Sequence, residues 1–454
     1  MTIRTEAAEL MLKIGMLLLV FWFALESPAQ TGASLSVTED NNQQAGNAPL
    51  TLTLQDALER AKKINPEYRA ALTEFGLAKE DKVQSRAALL PSANYNTSFL
   101  YTQGNGTSTA RFIANNGVHE YIAQGNVHQD FSLANLADYR RNLAAEAVAR
   151  ARSEIAARGL VVTVVQTYYR FVVAQRKYAT AQRAESEAQH FFDITQKLEH
   201  GGEVAHSDVI KAQIQLQGQQ RELQEAELEM NRSRLELAVL VFPDFREDFS
   251  VVDDLQTPEP LPGLSEVQAA AANKNPELRA AFAALREANQ EVTAAWNGFL
   301  PSLSIDYFYG IDANQFATED RLGNRNLGYA AVATLQFPVW NWGSNRSKVK
   351  QANLRRDQAK VELSATQREL LAKLHNLYDE ARTARAELES LSRSAELAAE
   401  SLHLTTMRYQ AGEVSVLEVV DAQNTLTSAR NALDDGQSRY RLSLANLQTL
   451  TGTL

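Results

Sequence analysis

The chain offers few side chains that could run a covalent reaction. Its seven histidines (His119, His128, His190, His200, His206, His375 and His403) form no His-Glu-x-x-His pair. There is no glycine-rich phosphate loop and no nucleophile elbow. Cysteine is absent, which excludes disulfides, a cysteine metal site, a thiol nucleophile and a lipidated N-terminal cysteine. His200 and His206 flank a glycine turn and could face a metal, but a solvated pair of loop histidines explains them more simply. The more telling groups are two carboxylates. Glu418 and Asp421 stand at i, i+3 and so share one face of a helix. Ser415-Val416-Leu417-Glu418 also fits a capping box, whereas Asp421, a turn deeper, has no capping role. This chemistry is electrostatic, so neither an enzyme nor a cofactor is expected.

The 454 residues carry a net charge of -10, with 44% apolar residues and a mean hydropathy of -0.32. Basic residues are scattered along helices rather than gathered in a stripe, which argues against a nucleic-acid partner. Residues 1–29 read as a signal peptide. Lys13 precedes the apolar run Ile14–Leu25, too short to span a bilayer, and Ser27-Pro28-Ala29 supplies small residues for cleavage before Gln30. Glu6 and Glu9 are unusual ahead of such a run and leave both Met1 and Met11 open as the start. Residues 30–50 read as a flexible leader. No later segment holds eighteen consecutive apolar residues, so an exported membrane form must span as a β-barrel.

The chain is written twice. Asn65-Pro66-Glu67-Tyr68-Arg69-Ala70-Ala71 returns as Asn275-Pro276-Glu277-Leu278-Arg279-Ala280-Ala281. The same offset maps Leu90-Pro91-Ser92 onto Leu300-Pro301-Ser302, and Gly202-Glu203-Val204 onto Gly412-Glu413-Val414. The first repeat is read as 51–250, the second as 264–454, and the proline-rich stretch 251–263 as their linker. Each repeat begins with one helix, over about Leu54–Ala88 and Leu264–Gly298. Two strands follow, and then two long helices. The strands are placed near 92–103 and 119–132, and near 301–311 and 327–338.

Period-two alternation marks the strands. Ala93, Tyr95, Thr97, Phe99 and Tyr101 share one face, with Asn94, Asn96 and Ser98 on the other. Leu303, Ile305, Tyr307 and Tyr309 likewise oppose Ser302, Ser304 and Asp306. The pattern fits a lipid-facing barrel around water, or a soluble sheet with one buried face. The signal peptide and aromatic strand ends favour lipid. Four strands cannot close a barrel, because the smallest have about eight, so several chains must share one.

The long helices carry heptads. Leu363, Leu370, Leu377, Ala384, Leu391 and Ala398 recur every seventh residue, with Leu374, Ala381, Leu388, Ala395 and Leu402 displaced by four. Leu160, Thr167, Ala174, Ala181 and Ala188, with Val164, Phe171 and Tyr178, repeat the pattern in the first half. A helix over about 343–410 would reach on the order of 100 Å and needs neighbouring helices to cover it.

This plan resembles the TolC family of outer membrane efflux proteins over about Leu52 to Leu450. The resemblance rests on the duplicated helix–strand–strand–helix–helix order, the Asn-Pro-Glu and Leu-Pro-Ser pairs, and the stretch 408–423 (RYQAGEVSVLEVVDAQ). It implies a mixed, mainly α fold. In that fold a homotrimer builds a twelve-stranded transmembrane β-barrel in outer membrane lipid, above a long periplasmic α-helical barrel. It also implies a gated passive duct in an efflux or type I secretion system, docked to a periplasmic adaptor (membrane fusion) protein and an inner-membrane transporter. By resemblance, the turns at Gly202 and Gly412 lie at the periplasmic tip, and Glu418 and Asp421 match acids that ring the aperture. Tyr409 and Asp208 match latch positions, while Val414 stands where the latch usually has arginine. The alternative is a structural coiled-coil envelope protein without a channel, though such a protein has no need of four amphipathic strands.

Overall fold

The computed structural model describes residues 50–101, 119–244, 248–256 and 259–452. The signal segment 1–29, the leader up to residue 49, the loop 103–118 and linker residues 257–258 lie outside the described residues.

The first repeat opens with β1 (Leu50–Leu52), α1 (Leu54–Ile64) and α2 (Pro66–Ala87). Strands β2 (Ser92–Tyr101) and β3 (His119–Phe131) lead into α3 (Leu133–His200) and α4 (His206–Val241). After β4 (Phe249–Val251), the second repeat runs α5 (Leu264–Lys274), α6 (Pro276–Asn297), β5 (Ser302–Ala313), β6 (Leu327–Gln336), α7 (Ser344–Gln410) and α8 (Val416–Thr451).

The single leading helix expected in each repeat is in fact two. Hydrophobic spacing runs on through Asn65-Pro66, but Pro66 has no N–H for the ladder and Asn65 turns extended at φ -60°, ψ 122°. Asn65 Oδ1 then accepts from Tyr68 N–H at 2.8 Å, so the break in one helix caps the next. Asn275 repeats the arrangement with Leu278 N–H, and its buried amide also donates to Leu450 O at 3.2 Å. Asn275→Ala removes both bonds and is expected to cost about 2 kcal/mol, read as a lower unfolding midpoint of the detergent-solubilised protein.

The strand ends follow the same logic. β5 begins after Pro301 and β6 stops two residues before Pro338, inside the expected limits, because proline cannot donate to a ladder. The short strands were not foreseen. Leu50 and Val251 fall in the expected leader and linker, yet β1 and β4 pair in parallel, with Leu50 opposite Phe249 and Leu52 opposite Val251. The pair joins the two ends of the first repeat over a core of Leu52, Leu58, Val164, Tyr168, Phe171 and Leu237. Tyr168 Oη donates to Val252 O at 2.7 Å, and burial pushes its pKa up to about 12.

Helices α3 and α7, of 68 and 67 residues, reach on the order of 100 Å each. α3 packs against α2, α4, α6 and α8, and α7 against α6 and α8. The heptad seam is turned inward throughout. All eleven of its α7 positions are buried or half-buried, led by Leu370, Leu374, Ala381, Ala384 and Ala398. The outer face of α7 leaves Leu354, Val361, Leu371 and Leu397 exposed.

Candidate functional site

Two regions have geometry that can do something beyond holding the fold: the four-stranded sheet and the helical tip.

The sheet is antiparallel with order β2-β3-β5-β6, so β2 and β6 are its edges. Its register aligns the alternation of all four strands. Tyr95 stands opposite Gly125, which stands opposite Tyr309, which stands opposite Tyr329. Phe99 lies against Tyr121 with ring centroids 4.9 Å apart, and Tyr307 stacks near Tyr329 at 6.2 Å. One continuous aromatic and aliphatic face results, with Tyr95, Phe99, Ile305, Tyr309 and Tyr329 exposed. The opposite face is mainly polar, with Leu100, Ile122, Phe308 and Val332 among its polar side chains. There His128 Nδ1 lies 2.8 Å from Asp306 Oδ1, and Asn126 Nδ2 donates to the same carboxylate at 3.3 Å. All of β2 is exposed and so is all but the first residue of β6, so both edges present unpaired backbone.

The tip lies at the far ends of α3 and α7. Gly202 (φ 79°) and Gly412 (φ 76°) take the left-handed conformation that ends a helix where a Cβ would be strained. The closing bonds match: Gly202 N–H donates to Glu199 O at 2.8 Å and Gly412 N–H to Tyr409 O at 3.0 Å. Inside the two turns, Phe191, Ala212, Tyr409, Val416 and Val419 form a buried cluster, with Val414 packed against it. Val414 is thus part of an apolar cluster.

The other tip residues are placed as follows. Tyr409 is buried, its ring 5.1 Å from Phe191, and its hydroxyl donates to Thr195 Oγ1 at 3.4 Å. Burial pushes the Tyr409 phenol up; the Thr195 hydroxyl opposes this, and the negative charge of Asp208 adds a smaller upward push. Within the chain Asp208 pairs with Lys211 at 3.0 Å. Glu418 folds back on Ser415, with Ser415 N–H at 3.3 Å and its hydroxyl at 3.4 Å, completing the capping box. Asp421 is exposed one turn on. Thr195, with Gln215 Nε2 donating to Asn424 Oδ1 at 2.9 Å, joins the first helix pair to the second; neither was singled out from sequence. His206 Nδ1 lies 2.6 Å from Glu199 Oε1, and His200 Nδ1 lies 2.7 Å from Gln196 O.

The outer membrane efflux protein profile matches residues 55–241 and 267–453, one copy for each repeat. The chain belongs to that family. This efflux protein is 22% identical over 410 residues to the alkaline protease secretion protein AprF of Pseudomonas aeruginosa, covering 89% of this chain and 85% of AprF. It is 23% identical to the outer membrane protein TolC of Vibrio cholerae, with 88% and 91% covered. The fold superposes on the Campylobacter jejuni CmeC outer membrane channel with a TM-score of 0.76 at 19% identity, covering 88% of this chain and 85% of CmeC. The efflux protein is therefore a TolC-like protein of the outer membrane.

Proposed function

We propose that three copies of this chain share one twelve-stranded barrel and form the outer membrane exit duct of an efflux or type I secretion system. The observation that carries the reading is the open sheet. Its two edges need strands, and its exposed aromatic face, too large for a soluble surface, needs lipid. Pairing β6 of one copy with β2 of the next satisfies every edge and puts His128 and Asp306 on the water-filled side. The same operation covers the exposed aliphatic residues of α4 and α7 with neighbouring helices, so the three helix sets close a periplasmic tunnel.

At the tip, three Asp421 carboxylates, with Glu418 beside them, ring the aperture and favour cations. The apolar plug around Tyr409 and Val414 holds it closed by packing. A periplasmic adaptor protein and an inner-membrane transporter engage this end, and the duct conducts passively.

The absence of cysteine allows a direct test. Cysteine pairs, one on β2 and one on β6, are expected to oxidise into a covalent ladder that stops at three chains in a denaturing gel. Intrachain bonds only, or no bonds at any register, would rule out the shared barrel.

A further inference from the structure

All four strand–helix junctions are tied into one level of the molecule. Gln129 Nε2 donates to Leu89 O at 3.3 Å, Asn297 Nδ2 to Leu133 O at 2.7 Å, and Asn345 Nδ2 to Gly298 O. Every tryptophan beyond residue 30, namely Trp296, Trp340 and Trp342, lies at this level. Trp296 packs on Phe299 at 5.7 Å, and Trp340 meets Trp342 edge to face at 5.7 Å. None is buried: Trp296 is 57% exposed, Trp340 75%, Trp342 88%, and Val339, just before Trp340, 87%. Trp342 is the single non-glycine residue with positive φ (55°) among the described residues. That is an unfavourable backbone for a bulky side chain, and here it holds an indole in the open. Among the described residues nothing buries these rings.

Two observations say what does. The collar continues the apolar face of the sheet, since Leu335 and Phe337 of that face lead directly to Val339. Just below it, the start of α7 reverses the usual charge preference of a helix N-terminus. The stretch Ser344–Arg356 carries Arg346, Lys348, Lys350, Arg355 and Arg356 and no acid, in a chain of net charge -10. Arg346, Lys348 and Lys350 are exposed, within about 12 Å of Trp342 along the axis. An amphipathic ring layer with cations one step beyond it matches the order of a bilayer surface, apolar chain, glycerol and then phosphate.

We propose that this collar is a docking surface for anionic phospholipid of the periplasm-facing leaflet, with indoles at the glycerol level and Arg346, Lys348 and Lys350 at the phosphates. The assignment rests on the shared-barrel reading, because only a barrel in lipid brings the collar to that depth. It fixes the level of the molecule in the membrane at the point where strands become tunnel.

The tryptophans report on their own surroundings. The full, exported protein is reconstituted into vesicles of phosphatidylcholine with phosphatidylglycerol and first floated on a density gradient. Failure to float overturns the barrel and the collar together. In floating vesicles, lipids brominated near the headgroup are expected to quench emission more than lipids brominated near the chain end. Most quenchable emission should be lost in W340F/W342F. Brominated phosphatidylglycerol is expected to quench more than brominated phosphatidylcholine, and R346Q/K348Q/K350Q to abolish that difference. Emission that ignores brominated lipid but yields to aqueous iodide places the collar in water and overturns the proposal. Emission that ignores both places it against a second copy and equally overturns it. Equal quenching by the two headgroups overturns the choice of anionic lipid.

Discussion

Gly310→Val is expected to remove the heat-modifiable oligomer from detergent extracts while leaving helical circular dichroism largely intact. Gly310 lies mid-strand in β5, opposite Gln124 of β3. A Cβ there would overlap Ala123 O and Gln124 Cα. Both are backbone atoms of the partner strand, so no rotamer relieves the contact and the strands must part. Overpacking of a side chain alone costs about 1–3 kcal/mol, and a forced backbone separation costs more. The β3–β5 seam is also the only hydrogen-bonded junction between the strands of the two repeats within the described sheet. Opening it leaves two hairpins, each marginal alone. Gly328→Ala in β6 is the control, since a Cβ there meets nothing within 4 Å and the oligomer should survive. An intact oligomer in Gly310→Val would contradict the sheet register.

The second large effect lies in the clamp that holds the inter-repeat linker. Arg176 on α3 reaches Asp253 at 2.5 Å and Asp434 on α8 at 3.0 Å, and the Arg176 and Asp434 side chains are only 16% and 13% exposed. Arg176→Met strands Asp434 in a poorly solvated site and is expected to cost about 3 kcal/mol at neutral pH, read as a lower denaturation midpoint. Adding Asp434→Asn should restore most of the loss, because the cost comes from the stranded charge.

The pH dependence has a definite sign. Burial raises the Asp434 carboxyl, with Arg176 opposing it, so removing Arg176 raises it further. A carboxyl raised in the folded state stabilises below its unfolded pKa, and that stability is lost as pH rises through the folded value. The deficit of Arg176→Met should therefore be greatest at neutral pH and shrink as pH falls through the folded pKa of Asp434. A deficit independent of pH and of Asp434→Asn would assign Arg176 to packing alone.

Periodic features were readable in the sequence because each residue carries part of the signal. The heptads from Leu363 to Ala398 and the alternation of Ala93 to Tyr101 fall where the spacing puts them, and Pro301 and Pro338 bound their strands for a local reason. The turn glycines were legible because only a left-handed residue closes those helices, and Glu418 because its cap partner lies three residues away. What was missed depends on distant partners. β1 and β4 are three residues each, with no period, and they form only because the fold brings Leu52 beside Val251. The helix break at Asn65 hides inside an unbroken hydrophobic spacing. Tyr409 reads as a seam residue from its own repeat, and its bond to Thr195 follows from packing between helices far apart in sequence. Gly310 looks like any strand glycine until β3 is laid against it.

The most direct test of the central claim is single-channel conductance of the detergent-purified protein in planar bilayers, wild type beside Asp421→Asn. A shared barrel with an acidic aperture predicts a cation-selective pore that multivalent cations block, with the block relieved in Asp421→Asn. Intact oligomer that inserts but passes no current in either protein, even in the presence of denaturant sufficient to loosen the tip, would contradict the duct.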